Sequence, residues 1–295
     1  MKPGRGCTLR RTMPELPEVE VVRRDLEAVL RDCTFSDVVV TGLRSVRRAE
    51  TPETFVHALV GRTVIAVRRH GKYLLVDLDD GHVLVVHLRM SGQLRWTPDR
   101  AAPLLAHTHV RMRPVSGGEL RFVDPRTFGE MYVTTANVPE LAHLGRDPWS
   151  DPLAAEDWRA LLRNRRTRIK SLLMDQRVVV GIGNIYSDEV LFRMGVRGDR
   201  PATMLKKAQC IVLAEALLEV FRDAINAGGS TLSDAQYVDL YGRLGTYASH
   251  HLVYARVGEP CVQCGATVAR MNIGGRYSAY CPKCQPGTRR RRQHQ

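Results

Sequence analysis

The 295-residue sequence contains no run approaching the ~20 consecutive apolar residues that a membrane-spanning helix needs, so a bilayer-embedded protein is not expected. Its opening, Met1–Thr12, is basic but lacks the apolar core of a secretory signal. A disulfide framework is missing too: of seven cysteines, four are paired by spacing, and Cys7, Cys33 and Cys210 are scattered. That is the profile of a reducing compartment with one metal site. There is no internal repeat, and no low-complexity segment beyond the run Arg289–Arg292. Nothing suggests an oligomeric seam, and a monomer is expected. Acidic residues are in short supply. Against 44 Lys+Arg there are 31 Asp+Glu, a net charge of +13, which points to a polyanionic partner, most often nucleic acid. From residue 240 onward nine Lys/Arg face Glu259 alone. The arginine run taken by itself reads as a solvated tail.

What is present divides the chain by texture. Pro17–Asp32 reads as a helix, with Val19, Val22, Leu26, Val29 and Leu30 on one face and Glu18 and Glu20 in the first turn, where the helix dipole favours them. Strand signals follow at Ser36–Thr41, Thr63–Arg69, Tyr73–Leu78 and Val83–Leu88, with Asp80-Gly81 as a hairpin turn. A second hairpin is expected around Gly117-Gly118, between Val110–Pro114 and Leu120–Val123. Short strands joined by turns suggest a β-sandwich. After Pro148–Pro152 the pattern becomes helical to Ala227, with Ile169–Met174, Asn184–Phe192 and Met204–Ile225 as the main segments. A polar, tyrosine-bearing stretch follows, read as a loop.

Cys261-x2-Cys264 and Cys281-x2-Cys284, 16 residues apart, can each supply two thiolates from a tight turn and together close a tetrahedron around zinc. Four protein ligands leave no open position, so the expected ion is structural. Between the pairs, Gly274-Gly275-Arg276-Tyr277 reads as a hairpin tip projecting an arginine.

The most specific string is Met13-Pro14-Glu15-Leu16-Pro17-Glu18-Val19-Glu20. It resembles the start of the formamidopyrimidine-DNA glycosylase family, in which Pro follows the initiator Met. Further anchors in the same order are Gly71-Lys72-Tyr73-Leu74-Leu75, His87-Leu88-Arg89-Met90-Ser91-Gly92, Asp124-Pro125-Arg126-Thr127-Phe128-Gly129, Gly181-Ile182-Gly183-Asn184-Ile185-Tyr186 and the cysteine module. The resemblance runs from residue 13 to about 286. It implies an α+β fold: a β-sandwich with a leading helix (13–148), a helix-two-turn-helix domain with a loop over the lesion (149–249), a zinc ribbon (250–288) and a basic tail (289–295). It also implies a partner, damaged double-stranded DNA, and a bacterial cytoplasmic or nucleoid location.

By the same resemblance, the freed Pro14 amine attacks the sugar and Glu15 is the general acid. Lys72 assists β-elimination, and Arg276 assists δ-elimination and holds phosphate. A secondary amine suits this role, because an α-amino group with a pKa near ~8 is partly neutral at pH 7. Met90, Arg126 and Phe128 match residues that fill the space left by a flipped base. Read without the family, Met90 and Phe128 are core and Arg126 a surface ion-pair former. Asn184, after the Gly-x-Gly turn, suits a phosphate contact through its side chain and neighbouring N–H groups. His107 and Arg165 match DNA-contact positions less specifically.

Two departures stand out. Pro14 is internal to the given sequence, so an amine at this position requires a start at Met13 or removal of residues 1–12. Tyr254-Ala255-Arg256 stands where the family has Tyr-Gly-Arg, a mild change unless φ there is positive. An endonuclease VIII-type enzyme for oxidised pyrimidines and a non-catalytic binder of damaged DNA are the alternative readings.

Overall fold

The computed structural model describes residues 13–233 and 235–287. The proposed extension 1–12 and the arginine tail lie outside the described residues. Helix α1 (Leu16–Leu30) leads into two four-stranded antiparallel sheets. One holds β1 (Phe35–Val40), β6 (Thr108–Pro114), β7 (Glu119–Val123) and β5 (Gln93–Thr97), in that order. The other holds β2 (Val64–His70), β3 (Tyr73–Leu78), β4 (His82–His87) and β8 (Glu130–Thr135). Their facing residues, among them Phe35, Val67, Leu74, Val86, Met112 and Phe122, bury one core together with Val22 and Leu26 of α1. This is the expected sandwich. Both expected hairpins form, with Gly81 and Gly117-Gly118 at positive φ. Strands β5 and β8 and the short helix α2 (Pro52–His57) were not anticipated, being five or six residues each.

The helical region comprises α3 (Ala155–Leu162), α4 (Ile169–Leu173), α5 (Asn184–Arg193) and α6 (Lys207–Asn226). They bury a second core around Trp158, Tyr186, Leu213 and Phe221, and Leu16 of α1 is part of it. The first helix therefore contributes to both cores and pins them together. The stretch after Ser230 is a loop as expected, yet it is anchored: Tyr237 and Leu240 pack into the sandwich core, and the Tyr237 hydroxyl donates to Gly228 O at 3.0 Å. The chain closes on the hairpin β9 (Ala269–Ile273) and β10 (Arg276–Tyr280). Its small core of Val253, Val268, Ala279, Cys261 and Cys281 rests on Phe192 of α5. Among the described residues, no helix is long and apolar enough to cross a membrane.

Candidate active site and DNA-facing loops

Three motif segments meet where the sandwich joins the helices. Glu15 is the N-cap of α1, but its carboxylate turns away from its own helix. It accepts the backbone N–H groups of Gly183 (2.7 Å), Ile185 (2.9 Å) and Tyr186 (3.4 Å), capping α5 instead. Unpaired N–H groups at a helix start make that position a natural seat for a carboxylate. Glu18, in the first turn of α1, accepts the Glu15 N–H at 2.9 Å. The Gly-x-Gly turn permits this approach: a Cβ on Gly183 would run into the Glu15 carboxyl group, and one on Gly181 into Leu16. The expectation that these N–H groups face a phosphate is thereby corrected, because Glu15 occupies them. Asn184 Oδ1 is buried and has no hydrogen-bond partner among the described residues, and only the side-chain NH2 can donate to a phosphate.

Lys72 arrives on the two-residue turn between β2 and β3, where Gly71 has φ +59° and packs against Val180. Asp147 fastens that turn, accepting the Gly71 N–H at 2.7 Å and the Arg69 guanidinium at 2.5 Å. Arg69 reaches on to Glu20 of α1 at 3.1 Å. Lys72 is buried, and burial lowers its pKa while the Glu15 charge opposes the shift; Arg276 and Glu18 also act on it. Glu15 is raised above the usual carboxylate range, burial outweighing Lys72 and the three N–H groups. So Lys72 lies within electrostatic reach of both Glu15 and Arg276, the latter on the exposed hairpin tip. Groups with environment-shifted pKa values gathered at a junction are what acid–base chemistry needs.

Pro14 lines a small pocket with Met13, Glu18, Ile185, Ser230, Leu232, Gln236 and Tyr237. Glu18 is the acidic residue of its lining. It accepts Tyr186 Oη at 2.5 Å and the Ser230 N–H at 2.8 Å, and burial pushes it up to about 7. Ser230 Oγ in turn lies 3.0 Å from His251 Nε2.

Two other segments form a second group. The Asp124 carboxylate accepts Ser91 Oγ (2.5 Å), the Gly129 N–H (2.7 Å) and the Arg126 N–H (3.2 Å), joining the turn that carries Met90 to the loop that carries Arg126 and Phe128. Phe128 is 38% exposed and Met90 half-buried, so neither is a core residue. The Arg126 guanidinium stacks 4.6 Å above the Phe128 ring, and its Nη1 has no hydrogen-bond partner among the described residues. His107, exposed at φ +63°, belongs here: its carbonyl accepts the Asp124 N–H. Arg165 lies elsewhere, exposed between α3 and α4, its N–H bound to Leu162 O.

The four cysteines converge, their sulfurs all within 4.8 Å of one another. Four thiolates with no fifth donor suit one structural zinc ion. Sequence reasoning missed the supporting carboxylates. Asp124, Asp147 and Glu18 find their other partners only in the fold, although the Asp124–Gly129 string already contained two such bonds, from the Arg126 and Gly129 N–H groups.

Family models match in the same order: the formamidopyrimidine-DNA glycosylase N-terminal domain over residues 13–131, the H2TH domain of that enzyme over 144–236, and the zinc finger found in FPG and IleRS over 258–287. The chain belongs to the formamidopyrimidine-DNA glycosylase family. It is 42% identical over 286 residues to the formamidopyrimidine-DNA glycosylase of a Synechococcus species, covering 93% of this chain and 99% of that one. It also resembles the Lactococcus lactis Fpg solved with abasic-site DNA (TM-score 0.84, 31% identity, 92% of this chain and 100% of that chain). The same Lactococcus lactis enzyme with Fapy-dG DNA gives a TM-score of 0.83 at 31% identity, with the same coverage. All the glycosylase landmarks named above fall inside these matched spans.

Proposed function

We propose that this protein is a bifunctional DNA glycosylase and abasic-site lyase that removes oxidised purines, formamidopyrimidines and 8-oxoguanine, from duplex DNA. One observation carries the reading: the buried Glu15 carboxyl group beside Pro14, its pKa raised by burial, with Lys72 in electrostatic reach of both Glu15 and Arg276. The names of the relatives and the lesions in the Lactococcus lactis complexes support the substrate class.

The Pro14 nitrogen donates its lone pair to C1′, and the base leaves with the glycosidic electron pair and takes up a proton. Opening of the C1′–O4′ bond, with a proton from Glu15 reaching O4′ and the amine proton lost, leaves an iminium at C1′. The iminium acidifies C2′–H; its removal, assisted by Lys72, expels the 3′ phosphate. A second elimination, assisted by Arg276, expels the 5′ phosphate. Met90, Arg126 and Phe128 fill the space left by the flipped base. His107, Arg165 and Asn184 hold phosphates, so affinity falls steeply with salt. The zinc ribbon presents Arg276, and the enzyme works where chromosomal DNA lies, in the bacterial cytoplasm.

This chemistry requires Pro14 as the first residue, through a start at Met13 or loss of residues 1–12, followed in either case by removal of Met13. The family match beginning at residue 13 supports that. Borohydride trapping on 8-oxoguanine duplex, followed by peptide mass analysis, is the test. A reduced adduct on an N-terminal Pro14 is expected. No adduct from protein proven to begin at Pro14 overturns the lyase reading, and faster excision of thymine glycol than of 8-oxoguanine overturns the purine assignment.

A further inference from the structure

Glu130, at the start of β8, is buried with three arginines on its carboxylate. Arg47 Nη2 lies at 2.9 Å, Arg48 Nε at 3.1 Å and Arg89 Nη2 at 2.7 Å. The sandwich core does not need this cluster, since its arginine members are more than a third exposed. Their other contacts show what they hold. Arg47 donates to Phe128 O (3.3 Å) and Gly129 O (2.9 Å), and Arg44 donates to Thr127 O (3.2 Å). Three consecutive carbonyls of the loop carrying Arg126 and Phe128 are thus held by arginines of one short segment, a 3-10 helix at Leu43–Val46 and the residues after it. Arg89, the fourth arginine, directly precedes Met90.

The backbone supplies an independent observation. Thr127 and Arg89 both have φ +54°, a region β-branched and long side chains rarely enter. Each adjoins a residue of the wedge: Arg89 is itself bound to Glu130, and the Thr127 carbonyl is held by Arg44, whose own carbonyl accepts Arg47 Nη1 at 2.9 Å. Strain of that kind persists only where the surroundings over-determine it, and it concentrates at functional loops.

We infer that Arg47 and Glu130 are positioning residues that hold the Met90 and Arg126–Phe128 turns in the raised conformation a wedge must have before it meets DNA. They touch neither base nor sugar in this account. Their work is to prepay the ordering cost of two strained turns, so that insertion into duplex does not have to meet it. This rests on the reading of Met90, Arg126 and Phe128 as the wedge.

The inference separates two activities. Removing a base from duplex needs the wedge; cleaving a pre-formed abasic site in single-stranded DNA does not. Arg47→Lys keeps the charge but cannot fork between two carbonyls and a carboxylate, and Glu130→Gln keeps the shape but not the charge. Each variant, starting at Pro14, is assayed on 8-oxoguanine duplex and on a single-stranded abasic oligonucleotide, beside Phe128→Ala. Expected is a loss of about tenfold or more on duplex, the scale of a small misplacement of positioning groups, with abasic cleavage within about twofold of the parent. Equal losses on both substrates overturn the inference as general damage. Unchanged duplex excision in both variants, while Phe128→Ala is impaired, overturns it as a dispensable buttress. Should Phe128→Ala itself excise normally from duplex, the wedge reading beneath it fails first.

Discussion

The Glu15 carboxylate accepts the Gly183 N–H at 2.7 Å across 168 residues of sequence, so the candidate acid of the sandwich is also the cap of a helix in the next domain. The N–H groups fix the carboxyl group in space and lower its pKa, while burial, the larger effect, raises it.

Replacing Glu15 with Gln keeps one of two accepting oxygens, sets an NH2 against the helix N–H groups at the other, and removes the transferable proton. Base excision is expected to fall by ~10²-fold or more, the usual worth of a positioned acid, with a loss of melting temperature from the weakened cap. In the parent, excision should decline as pH rises through the raised pKa of Glu15. Single-turnover rates across pH check both points, and a variant excising at near-parent rate removes Glu15 from the acid role.

Glu18 makes a different pH prediction. Burial raises its pKa from 4.5 to about 7, so between those values the native protein holds a proton that an unfolded chain has released. Its contribution to stability is full below pH 4.5 and lost as pH climbs towards 7, by up to roughly 3 kcal/mol. Denaturant midpoints at about pH 5 and about pH 8 should drop further for the parent than for Glu18→Gln. Parallel slopes would show that Glu18 does not titrate in this window.

What the sequence revealed and concealed follows from distance along the chain. The Gly-x-Gly turn, the Pro14–Glu15 string and the paired cysteines are local signals whose geometry is written within a few residues. Glu18 is not, because its partners Tyr186 and Ser230 lie 168 and 212 residues away. Asp147 and Glu130 look like solvated acids until Arg69 and Arg47 arrive from other strands and turns. Strand β8 was hidden because Met131–Val133 form an apolar run without alternation, whereas β5, Gln93–Thr97, does alternate polar and apolar and was legible.

The hairpin bearing Arg276 depends on a buried ion pair. Lys170 Nζ lies 2.6 Å from Asp188 Oδ1, both fully enclosed, and Asp188 also accepts Ser278 Oγ at 2.7 Å and the Ala279 N–H at 2.9 Å on β10. Asp188→Ala leaves the lysine charge buried and alone, and is expected to cost about 3–5 kcal/mol. The double variant Lys170→Met/Asp188→Ala should recover part of that loss. Equal destabilisation in single and double variants would show that packing, not charge, governs the site.

Ala255 has φ +60°, the left-handed region, and the reason is local. The Glu189 carboxylate gathers the N–H groups of Leu252, Val253 and Tyr254 at 2.8, 3.0 and 2.8 Å, and the chain must reverse immediately after. A residue with a Cβ is strained there, whereas glycine is not. Ala255→Gly is expected to stabilise the protein by roughly 1 kcal/mol, the penalty of the left-handed conformation less the entropy glycine adds to the unfolded chain. A lower denaturant midpoint for the variant would mean that the turn has absorbed the strain.

The zinc ribbon is the part least able to stand without its ligand. Its core is a handful of small residues and the metal-binding cysteines themselves, resting on Phe192, whereas the sandwich and the helices each bury a core of their own. Binding energy at such a site is folding energy. Chelation should therefore melt the ribbon and release the Arg276 tip while leaving the cooperative unfolding of the larger cores in place. Affinity for abasic duplex and the share of δ-elimination product should both fall, and added zinc should restore them. Chelated, zinc-free protein that bound abasic duplex as tightly as the untreated form would show that the ribbon folds and holds DNA without the ion.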